Sequence, residues 1–125
     1  MYRKLLLPAL ALMLSTAVSA EDHPNSVSWE GEAGPGKGKH IVYIAGDHEY
    51  RGEESLPALA RIMARRYGFK CTYIVTTDPK DGTINPGTSL ISGLEALKSA
   101  DLMVIFTRFQ HFPDEQMKHI DDYLQ

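Results

Sequence analysis

His40–Ser55 reads HIVYIAGDHEYRGEES, and the fold turns on how this stretch is understood. Ile41, Val42, Tyr43, Ile44 and Ala45 make an apolar run of strand length that stops at Gly46. From Asp47 to Glu54 the chain then supplies carboxylates, an imidazole, a phenol and a guanidinium before a helical repeat begins. In an open α/β sheet the ligand crevice lies beyond the carboxyl ends of the strands, so this loop is the first place to look for chemistry.

Further along the chain, Leu56, Leu59, Ala60, Met63, Ala64 and Tyr67 recur at three- and four-residue steps and predict one apolar helix stripe, with Arg61, Arg65 and Arg66 mainly turned away from it. Pro57 is expected in the first turn and Gly68 as the stop. The amino end of this helix favours an anion or a polar ligand oxygen, a role that Glu53 and Glu54 fill equally well. Phe69–Val75 predicts a second strand, with Cys71 near its start as a small core residue rather than a catalytic thiol. Thr76–Leu90 is a long loop, marked by the turn signals Asp78-Pro79, Asp81-Gly82 and Asn85-Pro86-Gly87. Gly93–Ser99 predicts a short helix with Leu94 and Leu97 inward. Asp101–Phe106 predicts a third strand, apolar without alternation, as for a strand buried on both faces. Pro113 starts a last helix with Asp114 and Glu115 in its first turn and Met117, Ile120, Tyr123 and Leu124 as its inner stripe.

The order β, α, β, α, β, α predicts an α/β fold with a parallel sheet and right-handed crossovers, a flavodoxin-like three-layer sandwich of about three strands in the order 2-1-3. The ends of the first and third strands then meet at a switch-point crevice. His48 and Glu49 are the candidate catalytic residues there, and Asp47, Tyr50, Arg51, Arg108 and Phe109 the candidate ligand-binding residues, near Thr107 and Gln110. Carboxylate and guanidinium groups beside an aromatic face suit a small polyhydroxylated ligand, a carbohydrate. Against this, a lone loop histidine is more often a hydrogen-bonded surface group, and Arg51 or Arg108 can simply pair with Glu53 or Glu54. Asp47, His48 and Glu49 are adjacent and cannot all face one ion without a special turn, so no metal site is expected. The residues name no cofactor. His111 and His119 read as surface groups.

Before His40 the composition changes. Arg3 and Lys4, the apolar run Leu5–Leu14 and Val18-Ser19-Ala20 form the three regions of a signal peptide, so residues 1–20 are expected to be a cleaved leader and the protein to be exported, periplasmic or extracellular, with no stable membrane anchor left. The apolar run is shorter than the ~20 residues of a spanning helix. Removing the leader takes two of the 13 basic residues against 16 acidic ones and leaves a formal charge of −5. With Arg61, Arg65 and Arg66 as the only dense basic group, nucleic acid is not an expected partner. A single cysteine excludes an intrachain disulfide framework. Residues 21–39 are expected to be a flexible linker leading into the 40–125 domain. Gly31, Gly36 and Lys37 have P-loop spacing, but Gly38 replaces the required Ser or Thr and the run precedes a strand instead of following one. Oligomeric state is not readable.

The segments IAGDHEYRGEESLPALARIMARRYGFK, DPKDGTINP and GLEALKSADLMVIFTRFQHFPDEQMKHIDDYL resemble the amino-terminal half of the trehalose-utilisation (ThuA-like) domain, in the class I glutamine amidotransferase-like superfamily. The resemblance spans Lys39 to Leu124, and its specific parts are GDHEYR and FTRF followed by PDEQM. It implies a flavodoxin-like sheet and an exported protein tied to trehalose or glycoside utilisation, and it names no reaction. No G-x-S-x-G or G-x-C-x-G nucleophile elbow is present, so amidotransferase activity does not carry over. The third strand would be left as an apolar edge, which leads to the expectation of a truncated ThuA-like chain. A sugar-processing enzyme, a non-catalytic carbohydrate-binding module and an inactive fragment are the three functional expectations.

Overall fold

The structure, a computed structural model, describes residues 25–125. The expected leader at residues 1–20 lies outside the described residues. Among those described, no helix is long and apolar enough to cross a membrane.

The apolar run of the opening stretch is β2, His40–Gly46, and all seven of its residues are buried. It is the central strand: β3, Lys70–Val75, lies parallel to it on one side, and β4, Leu102–Thr107, parallel on the other. A further strand, β1, Ser26–Trp29, pairs antiparallel with β3, so the sheet is mixed and four-stranded, in the order β1-β3-β2-β4. The α/β class therefore holds and the three expected strands lie parallel with the first between the other two, but the added antiparallel strand makes the strand count and the order of the whole sheet differ from the expected all-parallel 2-1-3. β1 lies inside the 21–39 segment that composition marks as a linker. It has only four residues among glycines and charges, too few to show a period. Pairing fixes it: the Ser28 and Thr72 hydroxyls lie 2.9 Å apart, and Trp29 packs against the core.

Helices cover both faces. On one, α1, Gly52–Tyr67, sets Leu56, Ala60 and Ala64 against Ile41, Tyr43 and Ala45 of β2 and Cys71 and Tyr73 of β3. On the other, the 3-10 helix Leu94–Ser99 and α2, Asp114–Leu124, set Leu94, Leu97 and Ile120 against Val42, Ile44 and Ile74. Fully buried aliphatic side chains such as Ile44 and Leu94 contribute about 2 kcal/mol each by leaving water.

α1 begins earlier than Pro57 implies, so the proline sits in the second turn. It has no N–H to donate to the carbonyl of Glu53, and the Tyr73 hydroxyl donates there instead, at 3.2 Å. Gly68 ends the helix at φ 79°, a left-handed conformation that donates its N–H to the Ala64 carbonyl. Leu59 and Tyr67, expected in the inner stripe, are exposed, and in α2 so are Met117 and Leu124. β4 departs furthest from expectation. Its residues are exposed or half-buried throughout, because among the described residues it has one neighbouring strand and is not enclosed in the sheet.

Candidate functional site

At the carboxyl ends of β2 and β4 two loops face each other, residues 47–51 and 108–113. Parallel pairing in the register Gly46 to Thr107 brings them to the same height. Glu49 and Arg108 form an ion pair across the gap, with side chains about half and just over a third exposed. The Arg108 guanidinium lies over two rings, 4.8 Å from the Phe109 centroid and 5.8 Å from that of Tyr50. His48 is 6.2 Å from Phe109 and Tyr50 is 6.4 Å from Phe106, centroid to centroid. The result is a half-open rim of aromatic faces with one charge pair at its centre.

Each rim loop carries a residue other than glycine in the left-handed region: Arg51 at φ 55° and Phe109 at φ 56°. Such conformations cost side-chain-bearing residues roughly 1 kcal/mol or more and tend to persist where position matters. At Phe109 the consequence is a phenyl ring 75% exposed at the lip of the rim. At Gly52 an added Cβ would come within 2.4 Å of the Phe106 ring, so only glycine lets the start of α1 lie against that ring.

The other candidates are placed differently. Asp47 is 3% exposed, and its Oδ1 accepts the backbone N–H groups of Glu49 and Tyr50 at 2.9 and 2.7 Å. It shapes the turn instead of facing a ligand, an Asx arrangement readable in hindsight from the Asp at position 47 ahead of a tight loop. Arg51 pairs with Glu54 on the outside of α1. His48 is exposed, and among the described residues no hydrogen bond orients its ring. Among those residues no group of three or more His, Cys, Asp or Glu could hold a metal ion. Burial pushes the Cys71 thiol up to about 11, far from the rim and unreactive as a nucleophile.

Sequence alone does not reveal the role of Gln110. Its Nε2 donates to the carbonyls of Gly46 at 2.7 Å and Pro86 at 2.8 Å, while its Oε1 accepts from the Ser89 hydroxyl at 2.9 Å. One side chain thus fastens the long 76–90 loop to the end of β2 beside the rim. Below it, Thr76 is fully buried with its hydroxyl unpartnered. Two surface depressions lie away from the rim, one of about 350 Å³ between the 3-10 helix and α2 and one of about 380 Å³ on the outer face of α1 beside Arg61, Arg65 and Arg66. No family model, curated protein or solved structure matches this chain.

Proposed function

We propose that the chain is a carbohydrate-handling domain of the ThuA-like kind on a flavodoxin-like framework, exported, with its ligand crevice at the rim formed by His48, Glu49, Tyr50, Arg108 and Phe109. One observation carries the reading: a Glu49–Arg108 pair set between exposed aromatic faces. Sugar rings present C–H faces that stack on Tyr50 and Phe109, and hydroxyls that accept from guanidinium and donate to carboxylate. Binding without turnover is favoured over catalysis, because no hydrogen bond fixes the His48 ring and the two acids that flank it, Asp47 and Glu49, are committed to the backbone and to Arg108. Trehalose and other neutral glycosides are the ligands to try. Titration calorimetry on the wild type, Arg108→Ala and His48→Ala separates the readings. A binder loses affinity on Arg108→Ala and keeps it on His48→Ala, whereas an enzyme loses turnover on His48→Ala. No saturable heat with any glycoside rejects the site.

A further inference from the structure

The charge pair of the rim is held from two loops, and each member is fixed through its own backbone. Arg108 donates its N–H to the Gly46 carbonyl at 3.3 Å, so its position is set by the end of β2. The residues after it keep the loop there: Phe109 is held at φ 56°, and the Gln110 side chain donates to the Gly46 and Pro86 carbonyls. The guanidinium is then flanked by the Phe109 and Tyr50 rings, whose faces attract a cation. Across the gap Glu49 stands in the turn that Asp47 closes, its N–H donating to Asp47 Oδ1 at 2.9 Å. Neither charge can swing clear of the other without giving up these bonds.

The remaining charges of the two loops are engaged elsewhere. Asp47 is turned onto the amides of Glu49 and Tyr50, and Arg51 pairs with Glu54 on the outside of α1. Arg108 is thus the guanidinium left to meet a ligand in the rim, and Glu49 already neutralises it. A neutral sugar finds spare capacity on both groups, because the guanidinium carries more N–H donors than one carboxylate contact uses and the carboxylate keeps lone pairs for hydroxyls. A carboxylated sugar finds a different site. Its carboxylate is attracted to the place where Glu49 stands. It must either push Glu49 aside, while the Asp47 turn keeps that charge nearby, or share one guanidinium with it, two like charges within a few ångströms.

We propose that Glu49 sets the charge class of the ligand: it keeps the Arg108 rim for neutral glycosides and excludes uronic acids and other carboxylated sugars. This assignment rests on the carbohydrate reading of the rim and adds the residue that decides which carbohydrates enter. Discrimination comes here from a repulsive element and not only from a better fit to the accepted ligand. Take the Glu49 charge away, and the same guanidinium, still flanked by two rings and anchored at Gly46, becomes an unpaired cation whose planar fork matches a carboxylate. The rim would then prefer the sugars it now turns away.

Titration calorimetry with methyl glucoside and methyl glucuronide, which differ in a hydroxymethyl group against a carboxylate, tests this on the purified chain. The wild type is expected to bind the glucoside more tightly than the glucuronide. Glu49→Gln keeps the size of the side chain and removes its charge, and the ratio of the two affinities should move at least about tenfold toward the glucuronide. Glu49→Ser should move it in the same direction and decides the matter if Glu49→Gln does not fold. Adding Arg108→Gln to either variant should abolish the gain, because the attraction comes from that guanidinium. A ratio unchanged in the single variants, with the glucoside still bound, overturns the assignment and leaves the carbohydrate reading standing. So does a wild type that takes the glucuronide as tightly as the glucoside, and so does a gain that survives the loss of Arg108. No saturable heat from either sugar, in the wild type and the variants alike, rejects the carbohydrate reading and this assignment with it.

Discussion

The two ends of the parallel strands are built on opposite principles. At the amino end His40 and Thr72 are buried and satisfied, with Ser99, Asp101 and Lys39 completing the network from the exposed side. His40 is 6% exposed, with Nδ1 3.0 Å from the Ser99 hydroxyl and Nε2 2.9 Å from that of Thr72. The His40 backbone N–H donates to Asp101, whose other oxygen pairs with Lys39 and whose carboxyl is thereby held below its ordinary range. At the carboxyl end the Glu49–Arg108 pair is half-exposed, the Tyr50 and Phe109 rings face solvent and two residues are held in left-handed conformations. The first arrangement stabilises because its centre, His40 and Thr72, lies out of water, where a lost partner is not replaced. The second contributes little to stability, because its charge pair is screened by water. The two sets of similar residue types are told apart by their burial.

Substitutions should separate the ends cleanly. The largest effect is expected for His40→Ala, which removes one of the two partners of the buried Thr72 hydroxyl and opens a cavity. A loss of about 2–3 kcal/mol in urea unfolding, with glycoside affinity unchanged, is the expected outcome. A loss under half a kcal/mol would show that the amino-end network is decoration. Next comes the pH dependence. Burial lowers the His40 pKa below 6.5, and Lys70 nearby lowers it further. The unfolded chain therefore binds more protons in the interval between the folded and unfolded values, so this contribution is complete above about 6.5 and is lost as the pH falls below it. Thermal melts of the wild type against His40→Gln should diverge on the acid side of that point and run parallel above it.

At the other end Arg108→Ala should cost no more than about 1 kcal/mol, since its pair with Glu49 is screened by water. Yet it should weaken any glycoside at least about tenfold through loss of both the hydrogen bonds and the ring support. A fall in stability equal to that of His40→Ala would erase the distinction between the ends. The smallest effect belongs to Arg51→Gly. Relief of the left-handed conformation offsets the lost Glu54 contact, and a change within about 1 kcal/mol in the stabilising direction is expected by chemical denaturation.

Much of this was legible in the sequence, for identifiable reasons. β2 announces itself through five consecutive apolar residues and a stopping glycine, and Gly68 through its place after a helical repeat. The meeting of the Glu49 and Arg108 loops follows once β2 and β4 are neighbours. What escaped depends on partners distant in the chain. β1 is too short to show a period and is defined by β3. Asp47 looks the same in sequence whether it turns toward a ligand or back onto two amides. The apolar content of β4 does not distinguish an enclosed strand from an edge awaiting a neighbour, because the letters record affinity for a covered place and not whether the place is covered. The helix stripes were drawn too wide at Leu59 and Met117 for the same reason.

The hydroxyl of Tyr73 standing in for the amide that Pro57 lacks has an evolutionary consequence. With proline at 57, phenylalanine at 73 would strand the Glu53 carbonyl. With an ordinary residue at 57, the same exchange would be nearly harmless. The two positions are sixteen residues apart and on different elements, yet they can drift only in sequence, the tyrosine arriving first and leaving last.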